Sequence, residues 1–145
     1  HAEHEIGRDL LVAAVDFEAP LEASVNRGDF SQAPASYLST FVNVTEEVQS
    51  CTIFRTVSSA KFDEIGIIRC VSEKQAKTVF DTVNSYIDVT KKEGIPFAKT
   101  YDAGEVSKLE NAQAQQLGIY VVFAILDERQ SRDFFASVRS ELTQK

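Results

Sequence analysis

Leu117-Gly118-Ile119-Tyr120-Val121-Val122-Phe123-Ala124-Ile125-Leu126 is the stretch that decides how this chain folds. Successive side chains of a strand point to opposite faces, so a strand with one wet face alternates apolar and polar residues. From Ile119 to Leu126 there is no such alternation, and the run is too short for a membrane span. It predicts a central strand, entered through a turn at Leu117-Gly118. Just upstream, Asn111 to Gln116 alternates alanine with polar residues, the pattern of an amphipathic or edge strand. Just downstream, Asp127 and Gln130 frame a helix start, and the helix carries Phe134, Phe135, Val138 and Leu142 on one stripe.

The same order occurs earlier in the chain. Cys51 to Val57 is rich in β-branched residues and reads as a strand, Ser58 to Asp63 is a polar break, and Glu64 to Cys70 is a second strand. Ser72 with Gln75 forms a capping box. The helix it opens places Ala76, Val79, Phe80, Val83 and Ile87 on one side, with Lys74, Lys77, Asp81 and Asn84 opposite. Lys91 and Lys92 suit its last turn, and Gly94 is the expected left-handed cap. Asp102 with Glu105 then opens a shorter helix through Val106 and Leu109. The residues of the two units do not match, so the architecture recurs without a sequence repeat. The expected fold is α+β and two-layered: a four-stranded antiparallel sheet from two hairpins, each followed by a helix, with one face covered.

Residues 1–50 form the irregular section of the same single domain, 1–145. Ile6, Leu10, Leu11 and Ala14 fall at helical spacing, and Asp16 to Pro20 ends that helix. Asn26-Arg27-Gly28-Asp29 is a turn signal, Ser31 to Ser36 with Pro34 reads as loop, and Tyr37, Leu38, Phe41 and Val42 form an apolar patch. The core is expected from residue 51 onward. At 145 residues the chain is large enough for one self-sufficient core, and 43% hydrophobic with 26% charged residues is ordinary globular usage. The net charge of −7 provides no basic face for phosphate contacts, so no nucleic-acid partner is expected. The chain opens at His1 and contains no methionine, which reads as a processed or trimmed protein.

Chemistry-bearing constellations are sparse. His1 and His4 are the only histidines; they could hold copper at a free terminus, but a frayed end explains them better. A Ser–His–Asp triad or a Cys–His pair would have to borrow from that terminus. Carboxylates are plentiful, notably Asp63 with Glu64 and Asp102 with Glu105 and Glu110. The capping reading accounts for Asp102 and Glu105, and a loop-to-strand junction accounts for Asp63 and Glu64 as solvated residues. No calcium loop and no glycine-rich phosphate loop is present. Lone Gly66 marks a bulge or a place where Arg55 or another large side chain crosses the strand. Asn43-Val44-Thr45 fits a glycosylation triplet, a pattern that often arises by chance. Tyr37, Phe41, Tyr86, Phe97 and Tyr101 either line a groove or plug the ends of the sheet. No catalytic residue, cofactor or metal is expected.

Phe62-Asp63-Glu64-Ile65-Gly66-Ile67-Ile68, Tyr101-Asp102, Lys108-Leu109-Glu110-Asn111-Ala112 and Gly118-Ile119-Tyr120-Val121-Val122-Phe123 together resemble a family of small lipoproteins of unknown function from Gram-positive bacteria. The resemblance runs from about Tyr37 to the C-terminus. It implies an extracellular location on a lipid tether whose cysteine lies upstream of His1, and it implies no activity.

Three functional readings follow. The first is a non-enzymatic, envelope-associated accessory or interaction domain with an unknown protein or small-molecule partner. The second is a binding module that uses an uncovered sheet face or an edge strand, for instance along Ala112, Ala114 and Gln116, to take a small ligand or peptide. The third is a hydrolase with a carboxylate site. Cys51 and Cys70 remain to be placed. If the first hairpin turns between Ala60 and Lys61, Ile53 faces Ile68, Phe54 faces Ile67, and Cys51 faces Cys70. Directly opposed cysteines are close enough for a disulfide, and outside the membrane the bond would persist. Two buried thiols acting as small hydrophobes are the alternative.

Overall fold

The computed structural model describes residues 29–32, 50–56, 58 and 61–143. The expected N-terminal helix, the Tyr37 to Val42 patch, the Asn43-Val44-Thr45 triplet and both histidines lie outside these residues. Eight elements follow one another: β1 (Phe30–Gln32), β2 (Ser50–Thr56), β3 (Glu64–Arg69), α1 (Glu73–Tyr101), α2 (Gly104–Glu110), β4 (Gln113–Leu117), β5 (Tyr120–Ile125) and α3 (Glu128–Thr143). The strands form one five-stranded antiparallel sheet in the order β1-β2-β3-β5-β4. β2 pairs with β3 and β4 with β5, the first pair in a register other than the expected hairpin's, and the two pairs join where β3 pairs with β5.

The sheet differs from the four-stranded expectation by β1, which adds Phe30 to Gln32 along the outside of β2. Three residues are too few to show a period of two, and turn residues flank them, so the sequence read as turn and loop there. Pairing and burial of Phe30 make it a strand.

The two-layer expectation is also corrected. Ile68, Val121, Phe123 and Ile125 pack with Ala76, Val79, Val83 and Ile87 of α1 and Leu109 of α2. The alternate residues Ile65, Ile67, Tyr120, Val122 and Ala124 pack with Phe134, Phe135, Val138 and Leu142 of α3. Helices therefore cover both faces, and every residue of β3 and β5 is buried. A strand that is apolar on both sides requires this, because an uncovered face would leave half its side chains in water.

The β2–β3 register is two residues away from the expected one. Cys51 pairs with Ile68, Ile53 with Gly66 and Phe54 with Ile65, so Cys51 and Cys70 are not directly opposed. A two-residue shift keeps every side chain on its own face, so hydrophobic alternation cannot tell the registers apart. Contacts at the loop set it: the Thr56 N–H donates to the Asp63 carbonyl at 2.9 Å, and Phe62 and Asp63 are both held by α2.

The N-cap at the start of α1 forms as expected, with the return bond of the capping box made one residue earlier, to Val71. Ser72 Oγ accepts the Gln75 N–H at 3.0 Å, and Gln75 Oε1 accepts the Val71 N–H at 2.8 Å. The end of the helix does not: α1 runs through Gly94 and Pro96 to Tyr101, with Lys99 rather than Lys91 and Lys92 in its last turn. Gly94 is helical and buried, and a Cβ there would sit 3.0 Å from Leu109 Cδ1 and 3.1 Å from Phe62 Cε1. Close packing of α1 on α2 and the 61–63 loop thus outweighs two local helix breakers. The positive φ is found at Gly118, +63° in the β4–β5 turn. No helix among the described residues is long and apolar enough to cross a membrane.

Candidate functional site

Of the acids singled out in the sequence, Asp102 and Glu110 lie on the surface, whereas Asp63, Glu64 and Glu105 are drawn inward. Lys108 of α2 places Nζ 2.9 Å from Asp63 Oδ1 and 2.6 Å from Glu105 Oε2, with all three side chains at most 15% exposed. Glu105 Oε1 also accepts the Phe62 N–H at 2.9 Å. Glu105 is therefore a buried tie between α2 and the loop, not the cap partner of Asp102. Asp102 still takes the Gly104 N–H, at 3.2 Å. Burial pulls the Lys108 pKa down, but the hydrogen bonds and charges of Glu105 and Asp63 outweigh it and hold the value above 10.5. The neighbouring Glu64, also buried, accepts the Tyr86 O–H at 2.7 Å and lies 3.8 Å from Arg55 Nε. These carboxylates are occupied in fastening the 61–64 segment to both α1 and α2. Among the described residues no group of three or more His, Cys, Asp and Glu side chains is placed to hold a metal ion.

Beside this ionic knot, Phe62 meets Phe97 edge-on at 6.4 Å, and Phe97 tilts against the exposed ring of Tyr101 at 4.6 Å. Of the aromatics left unplaced by the sequence, Tyr86 seals a sheet end through Glu64, and Phe97 and Tyr101 form a surface pair.

The cavity is elsewhere, between edge strand β4 and helix α3. It measures about 260 Å³. Asn111, Gln113 and Gln115 line one side; Glu128, Ser131, Arg132, Phe135 and Arg139 line the other. Its position follows from the pleat. Gln113 and Gln115 pair with Ala124 and Val122, residues of the α3-facing core, so these two polar side chains stand where β3 and β5 present apolar ones. Arg139 Nη2 donates to Gln115 Oε1 across the gap. On α3 the lining recurs as Glu128, Ser131, Arg132, Phe135 and Arg139, spaced by three, one, three and four along one helical stripe. Asp127 starts that helix as expected, accepting the Gln130 N–H at 2.7 Å.

The row Ala112, Ala114 and Gln116 has a different fate from the one the sequence suggested. Ala112 is buried, Ala114 packs toward α1, and Gln116 donates to the carbonyls of Glu73 and Gly118. The alternate residues Gln113 and Gln115 face the cavity. The signal that could have found the site is the pairing of polar alternate positions on β4 with a polar stripe on an otherwise core-facing helix.

A family model for a domain of unknown function, DUF4358, matches residues 45–126. The chain belongs to this family. The matched residues run from before β2 to the end of β5 and contain the whole ionic knot; the α3 wall of the cavity lies beyond them. No curated protein and no solved structure matches the chain.

Proposed function

We propose that this domain is a non-enzymatic, envelope-associated accessory domain that works by binding, and that its ligand enters the cavity between β4 and α3. The observation that carries the reading is the character of that cavity: three carboxamides, a serine, a glutamate and two arginines share its lining with Phe135. These groups recognise and orient a ligand; polar groups on a partly apolar wall are the usual make-up of a binding pocket. The alternative of a carboxylate-based hydrolase draws on Asp63, Glu64 and Glu105, and each of these has a structural partner. The sheet-edge version of the binding reading keeps one feature in its favour: β4 is one of the two edge strands among the described residues, and its cavity-facing glutamines would lie beside any added strand. The lipid tether upstream of His1 and the extracellular, Gram-positive setting belong to the same proposal, supported by the resemblance described above.

A fragment screen by amide NMR on the whole chain tests the binding reading. The expected hits move signals of residues 111–115 and 128–139 together. If saturating hits collect elsewhere, or none is found, the cavity is not the binding site. Labelling of the full precursor with a radioactive fatty acid tests the tether, and an unlabelled mature protein would refute it.

A further inference from the structure

We propose that the ligand of the β4–α3 cavity is a small monocarboxylate, held by Arg132 and the Ser131 hydroxyl; this rests on the reading of the cavity as a binding site. Ser131 is 2% exposed, and its Oγ is buried without a hydrogen-bond partner. A buried hydroxyl normally finds a partner, because leaving one unmade carries a desolvation penalty. Ser131 lines the cavity, so a turn of its side chain would bring the orphan hydroxyl to an occupant.

The neighbouring charges indicate what the occupant is. Exposed Lys77 and Arg129 each pair with an acid four residues on. Arg132 has Glu128 four residues before it on the same stripe, yet makes no ion pair among the described residues. In a chain of net charge −7, an arginine at a cavity that makes no ion pair among the described residues is a cation open to another anion. Of the carboxamides, Asn111 spends its NH₂ group on Ser107, while Gln115 adds a donor. The Gln115 oxygen is taken by Arg139, which leaves its NH₂ group as the part available to an occupant. The cavity thus offers guanidinium and Gln115 amide N–H groups, with the Ser131 hydroxyl just beneath its wall and Glu128 as its one carboxylate, and an oxyanion would satisfy those donors.

Size and balance narrow the class. Arg132, Arg139 and Glu128 give the lining one net positive charge, which matches a monoanion better than a phosphate dianion. At about 260 Å³ the space is smaller than a typical pocket for drug-sized ligands. Phe135 provides an apolar surface for a short carbon body. A guanidinium fork matches a planar carboxylate and accepts it through two parallel hydrogen bonds.

The experiment titrates the whole chain with sodium butyrate, sodium benzoate, inorganic phosphate and neutral benzamide, followed by amide NMR. Butyrate or benzoate is expected to give saturable shifts confined to residues 111–115 and 128–139, at least about tenfold tighter than benzamide or phosphate. Arg132→Met, at an exposed position, is expected to weaken benzoate about tenfold or more with the thermal midpoint unchanged. Ser131→Ala is expected to weaken it several-fold while the unliganded protein melts no lower than the parent, since the change removes an unpartnered hydroxyl. A purely structural serine would not separate those two readouts. Benzamide binding in the cavity as tightly as benzoate would overturn the carboxylate inference and leave the binding reading standing. Preference for phosphate would overturn it in the same way. No saturable shift in the cavity with any of the four probes or with the fragment screen would overturn both.

Discussion

Gly66→Ala should destabilise this protein more than any other single-methyl addition to the sheet. An ideal Cβ on Gly66 would lie 2.3 Å from Phe123 Cε1, 2.8 Å from Cζ and 3.1 Å from Cδ1. Carbon atoms settle at about 3.5–4.0 Å, so the ring would have to retreat by about 1 Å or more. It has little room to do so. Phe123 is fully buried, and the Tyr86 ring stands edge-on behind it, with centroids 6.4 Å apart. Tyr86 is itself tied to buried Glu64 by the 2.7 Å hydrogen bond. Overpacking of a core costs about 1–3 kcal/mol, and a rigid ring with a tethered neighbour places this substitution near about 3 kcal/mol. For a domain of this size that corresponds to a fall of about 6–12 °C in thermal midpoint. Urea unfolding followed by circular dichroism measures it. The decisive arm is the cycle with Phe123→Leu, which shrinks the side chain over the glycine. The double variant should be less destabilised than the two singles combined, with a coupling of about 1–2 kcal/mol. A Gly66→Ala protein within about 0.5 kcal/mol of the parent, or strict additivity with Phe123→Leu, would refute the reasoning.

Lys108→Met strands Asp63 and Glu105 beside each other without their cation and should cost about 3 kcal/mol at neutral pH. Because the native Lys108 pKa is raised above 10.5, its stabilisation is complete below that pH and is lost as pH climbs through the raised value. The stability gap between parent and Lys108→Met should therefore narrow in urea titrations above pH 10.5; a constant gap would count against the ion cluster. Ser72→Ala removes the acceptor of the Gln75 N–H and should lower stability by about 1 kcal/mol, seen as a shift in urea midpoint at unchanged slope. Gly118→Ala places a Cβ in open space at φ +63°, so only backbone strain opposes it, about 1–2 kcal/mol. Gly118→Asn should cost less, and equal losses would show that strain is not the cause.

Much of the fold was legible because it is local. The N-caps at Ser72 and Asp127, the amphipathic stripe from Ala76 to Ile87, and the interior place of the strand within Ile119 to Leu126 each follow from residue type and period, and the structure has them all. Even the second helical layer was implicit, since a strand apolar on both faces needs cover on both. The large side chain expected across Gly66 is Phe123, its partner in the adjacent strand.

What the sequence could not decide depends on contacts between distant residues. The β2–β3 register is one of two that satisfy the same alternation, and the grip of α2 on Phe62 and Asp63 selects between them. Gly94 and Pro96 are helix breakers by local chemistry, yet α1 passes through both because the absent Cβ of Gly94 lets Leu109 and Phe62 approach. Glu105 reads as a cap from its spacing and becomes a buried tie once α2 lies against the 61–63 loop. The cavity is the clearest case. Its two walls are separated in the chain by the whole of β5, and their polar residues are unremarkable one by one. Hydrophobic patterning fixes which face of an element is buried, a local property of the chain. It does not fix which polar side chains from different elements share a boundary, and that is decided only when the layers close.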